Sequence, residues 1–135
     1  MRRRRRIAHV EQPRDGAKPW LELDAVLKER LRVALASKRP VTEAELRKLT
    51  EESRACSLIL GAELERGEAR LAELDSDPAS SLAEMGATFR EVSTLRRDLG
   101  ELLSLLAQVE ERARATRAAW LAASARSGSA ESSQS

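Results

Sequence analysis

The sequence predicts an all-α protein of three helices, a short first helix followed by a long antiparallel αα-hairpin of coiled-coil type, with disordered tails. Three observations predict it. Aromatic residues make up 2% of the 135 residues and charged residues 34%, with no tyrosine, a composition of long helices rather than of a sheet. Apolar residues recur at steps of three and four over most of the chain. The breaks between the periodic stretches are short, which makes consecutive helices antiparallel neighbours.

Residues 1–19 form a basic arm. Arg2, Arg3, Arg4, Arg5 and Arg6 stand side by side, and a polar stretch with Pro13, Gly16 and Pro19 follows. Adjacent like charges repel and bury nothing, so disorder is expected until a partner neutralises them. The helical unit spans residues 20–126, and residues 127–135 form a flexible serine-rich tail.

The first helix is expected over residues 20–37, with Trp20, Leu23, Leu27, Leu31 and Ala34 on one face and Pro40 stopping it. Asp24 precedes Lys28 by four residues, the spacing of an ion pair along one helix. The second helix is expected over 42–74. Thr42, Glu43, Ala44 and Glu45 make a capping box, with Val41 and Leu46 as its hydrophobic staple. Its seam is Leu46, Leu49, Ser53, Cys56, Leu60, Leu64, Gly67, Leu71 and Leu74. Three of these positions hold small residues, so the helix needs a packed partner. Asp77 and Pro78 suggest the start of the third helix, over 78–125. Its stripe runs Leu82, Met85, Phe89, Val92, Leu95, Leu99, Leu102, Leu106, Val109, Ala113, Thr116 and Trp120, with a stammer near Val92. Leu103 and Leu105 widen it enough to meet two neighbours. On these lengths everything from Arg112 to Arg126 overhangs the hairpin, and the first helix covers only half of the second.

The net charge of +2 is unevenly spread. Residues 1–40 carry 12 basic and 5 acidic side chains, and residues 41–135 carry 12 and 17. A basic arm on a mildly acidic body follows. No apolar run is long enough to span a membrane. A secretory signal is not expected, because Ile7 to Val10 is too short an apolar region. Residues 1–10 are arginine-rich and free of acids, as in a mitochondrial presequence, but they lack serine and threonine, and Glu11 and Asp15 follow closely.

Nothing converges into an active site. His9 is the single histidine, in the arm, and Cys56 the single cysteine, on a helical seam. They supply neither a His/Cys metal site nor an internal disulfide. Gly61, Gly67, Gly86 and Gly100 are isolated inside helical patterns and build no phosphate loop. No catalytic, cofactor-binding or metal residue is therefore expected. A lone cysteine points to a reducing, intracellular compartment, cytoplasmic or nuclear.

The expected function is that of a structural or adaptor subunit, binding protein partners or further copies of itself through its leucine seams. Leu99, Leu102, Leu106 and Trp120 are expected at that interface, with Leu60, Leu64, Leu71 and Leu74 at the two-helix tip. Trp20 is expected to pack inside the bundle. The alternative is a nucleic-acid-associated protein whose Arg2–Arg6 run contacts phosphates without reading sequence.

Overall fold

A computed structural model describes residues 18–39 and 41–134, with side chains described through Gly128. The arm with Arg2–Arg6 and His9, and the expected stop at Pro40, lie outside the described residues. Within them the chain is helical with no strand: α1 Pro19–Ala36, α2 Glu43–Ser76 and α3 Leu82–Gln134.

Each helix start has a local cause. Pro19 opens α1 at a position where its missing N–H costs nothing. The Thr42 hydroxyl accepts from the Glu45 backbone N–H at 3.1 Å and starts α2. The start of α3 differs from the sequence expectation. Asp77 closes α2 and accepts from the Ala79 N–H at 2.9 Å, so Pro78 sits in a turn and not in a helix. Ser81 caps α3 instead, accepting from the Glu84 N–H at 3.0 Å. Ser81 and Glu84 have the spacing of a second capping box.

Ion pairs fix the topology. Arg117–Glu43, Arg54–Glu110, Arg96–Glu68 and Arg70–Glu84 align α2 and α3 antiparallel over the whole of α2. Lys18–Glu91 and Lys28–Glu101 set α1 parallel to α3, and hence antiparallel to α2, which it meets at Arg30–Glu52. The later end of α2 and the later start of α3 together move the register by six residues, nearly two turns. The level of the α2 start is therefore Arg117, not Glu111, and the overhang begins beyond it. Helical backbone then continues past Ala125 to Gln134, through the stretch expected to be a flexible tail. No proline interrupts that segment.

The core lies where all three helices meet. Leu27 and Leu31 of α1, Leu49, Cys56 and Leu60 of α2, and Leu95, Leu102 and Val109 of α3 are buried against one another. All nine expected seam positions of α2 are buried or half-buried. The α3 stripe needs correction at its start. Phe89 is 58% exposed and Leu82 85%, while Thr88 is half-buried. The seam runs Met85, Thr88, Val92, Leu95, Leu99, Leu102, Leu106, Val109 and Ala113, in unbroken alternating steps of three and four. The stammer disappears because helical phase decides the facing residue, and the bulk of Phe89 does not override it. Leu105 packs against the core and Leu103 remains outside, so the widening of the stripe serves the α1 side.

Candidate functional site

Three features of the bundle are more than packing: a buried charge layer, a basic groove at the α1–α2 corner, and a set of apolar side chains without cover.

The charge layer is built from Asp24 and Lys28 of α1. Both are buried, and Lys28 Nζ lies 2.8 Å from Asp24 Oδ2. Across the interface, Lys28 Nζ lies 3.4 Å from Glu101 Oε2 and 3.8 Å from Asp98 Oδ1 of α3. One cation thus serves three carboxylates. Burial pushes the Asp24 carboxyl above its ordinary value, and the Lys28 hydrogen bond offsets only part of that. Burial also raises the Cys56 thiol, and the neighbouring Asp24 charge adds to the effect. A thiol held in its neutral form is a poor nucleophile, and Cys56 is fully enclosed. Asp24 Oδ1 and Ser53 Oγ are buried without a hydrogen-bond partner among the described residues. A layer of this kind fixes which faces meet more than it adds stability. The i,i+4 spacing of Asp24 and Lys28 was visible in the sequence, but their burial depends on Asp98 and Glu101, about 70 residues away.

The groove lies where the α1–α2 connection crosses α3, with a volume of about 210 Å³. Leu35, Val41, Leu46 and Val109 give it an apolar floor, and Lys38, Arg39 and Arg112 a basic rim. Val41 and Leu46, the expected staple, are both part of it. The Arg112 guanidinium donates to the carbonyls of Ala34, Leu35 and Ser37, with the Ser37 contact at 2.7 Å. It thereby satisfies carbonyls that the end of α1 leaves unpaired. Arg112 was expected in the overhang, and it is instead the clamp on α1.

The expected interface residues divide into two groups. Leu60, Leu102, Leu106 and Leu74 are buried inside this chain, and Leu64, Leu71 and Leu99 are half-buried. Leu60 and Leu102 belong to the three-helix core, and Leu64 and Leu99 pack against it. Within the α1-covered part, α1 shields Leu60 and Leu102 from a second chain. Trp120, at 67% exposure, is the one member of the set standing open to solvent. Trp20 is half-buried against the core, with Lys18 Nζ 5.2 Å above its ring.

The apolar side chains without cover lie elsewhere. Leu58, Leu82, Phe89 and Leu103 are exposed on the hairpin, Leu121 on the free end of α3, and Leu23, Val26 and Ile59 on the α1–α2 flank. The Arg30–Glu52 pair sets a register that brings Ile59 level with Leu23, each two turns away from the pair. Periodicity alone assigned Leu82, Phe89 and Leu23 to the inner stripes, so sequence reasoning missed this surface.

No family model, characterised protein or solved structure matches the chain. Among the described residues, no group of His, Cys, Asp and Glu is arranged to hold a metal ion, and no helix is long and apolar enough to cross a membrane.

Proposed function

We propose that the protein is a non-catalytic, intracellular structural or adaptor subunit that works by packing its helices against other helices. The observation that carries this reading is the free end of α3. From Arg114 to Gly128 every residue is exposed, and Trp120 and Leu121 stand on that helix with nothing against them. An isolated helical stretch of this length is marginal in water, so a partner that buries Trp120 would also stabilise the backbone around it. The exposed leucines and Phe89 on the hairpin extend the same argument to the other end of the rod.

Light scattering and thermal melting of the purified chain test the reading. Self-association, or a broad and incomplete melting transition, is the expected result. A strictly monomeric chain with one cooperative transition at high temperature counts against it. The nucleic-acid alternative rests on Arg2–Arg6, outside the described residues. It requires that deleting those five arginines abolish a binding that falls steeply with salt.

A further inference from the structure

The two ends of the rod are complementary. The hinge end is acidic: residues 63–91 carry eight carboxylates and three arginines. Those arginines do not reach all of them. Glu65, Glu73, Asp75 and Asp77 form no ion pair among the described residues, while Glu63, Glu68, Glu84 and Glu91 do. The opposite end is basic: residues 112–134 carry four arginines and one acid, Glu131. The start of α2 lies at that same end. There Lys38, Arg39, Arg47, Lys48 and Arg126 form no ion pair among the described residues, although several others nearby do.

The ends also match in shape. At the hinge end α1 is missing. Among the described residues it begins at Pro19, level with Glu91 of α3. Residues 82–90 of α3 and the last turns of α2 beside them therefore carry no third described helix, a length of about 13 Å at the helical rise. At the other end a third helix has nothing to cover. Beyond the Arg117–Glu43 pair, α3 continues alone to Gln134, about 25 Å at the same rise. It runs parallel to α1, so a copy stacked on that end could receive it as a continuation of its own α1.

From this we infer that the chain associates head to tail with further copies of itself. The free end of α3 from one copy lies along the uncovered α2–α3 pair of the next, and the unpaired cations of one end meet the unpaired carboxylates of the other. The inference rests on the reading of the chain as a helix-packing subunit and names its partner. The contact joins two different surfaces, so each copy keeps one free end and growth is linear unless a ring closes. A symmetric antiparallel pair does not serve. It would bring the body of the partner's α3 onto the line already occupied by α1.

Two exposed sets of substitutions test it. Glu65→Gln, Glu73→Gln and Asp75→Asn neutralise the hinge end, and Trp120→Ser with Arg126→Gln disables the free end. None of these side chains is buried, and circular dichroism checks that both variants fold. In sedimentation velocity the wild-type chain should show a size distribution that grows with concentration and shrinks toward monomer as salt screens the contact. Each variant alone should associate about tenfold more weakly. An equimolar mixture should form dimers and stop, because each variant retains the end the other lacks.

A mixture that remains monomeric overturns the inference, as does a closed wild-type dimer indifferent to both variants. A closed dimer or an incompletely folded chain leaves the helix-packing reading standing. A stable, cooperative wild-type monomer removes both. Duplex DNA bound by a monomeric wild-type chain and released by the free-end variant assigns the cations to nucleic acid and likewise overturns the inference.

Discussion

The half of the rod covered by α1 and the half near the hinge are built from the same two helices, yet they are held together differently. In the covered half Leu27, Leu31, Leu60 and Leu102 are fully enclosed, and one lysine joins α1 to α3 from within. In the hinge half Leu74 keeps some exposure, Leu64, Leu71 and Met85 are half-buried, and Phe89 and Leu82 point outward. Two helices cannot surround a side chain, and a third can. The hinge half compensates by close approach. A methyl group placed on Gly67 would fall 2.9 Å from Val92 Cγ2, so the absence of a side chain there lets α2 and α3 come together.

The largest effect that sharpens the contrast is in the covered core. Leu102→Ala should cost about 4 kcal/mol of unfolding free energy in chemical denaturation, against about 2 kcal/mol for Leu74→Ala, whose surroundings can collapse into the space. Equal losses would mean that α1 adds no enclosure. Next comes the charge layer. Lys28→Ala should cost about 3 kcal/mol, because it leaves Asp24 buried beside other carboxylates. Replacing both partners, as Asp24→Leu with Lys28→Met, should recover most of that loss in the same titration.

Smaller effects separate the glycines. Gly67→Ala should destabilise by about 1 kcal/mol, since Val92 must yield, whereas Gly61→Ala meets open space and should stabilise by up to about 1 kcal/mol. A gain at both positions would dissolve the close-approach argument. The smallest effect is a pH dependence. The Asp24 carboxyl is raised in the folded chain, so its contribution is fully present below the ordinary value of 3.8 and is lost as pH rises through the folded value. Measured against Asp24→Asn, the wild-type chain should therefore lose relative stability as pH rises above about 4. A constant difference between the two would place Asp24 in water.

Much of the architecture was legible in the sequence because helical signals are local. Thr42 with Glu45 marked the start of α2 correctly, and the α2 seam was found position by position. Where the reading failed, one residue's character competed with helical phase. Phe89 looked more like a core residue than Thr88, and Pro78 looked like a stronger start than Ser81 with Glu84. The interface expectation is limited for a different reason. Periodicity shows that a leucine faces a neighbour and does not say whether that neighbour belongs to the same chain. Leu60 and Leu102 meet α1, and the buried role of Lys28 depends on a helix placed far along the sequence.

Arg112 gives the rod a mechanical property. It fastens the last carbonyls of α1 to the stem from which the free length of α3 projects. That projection is a lever. A torque on it reaches α2 through the Arg117–Glu43 pair and α1 through the Arg112 guanidinium. The turn at Pro78 lies at the remote end of both long helices, so whatever grips Trp120 loads these two fastenings first.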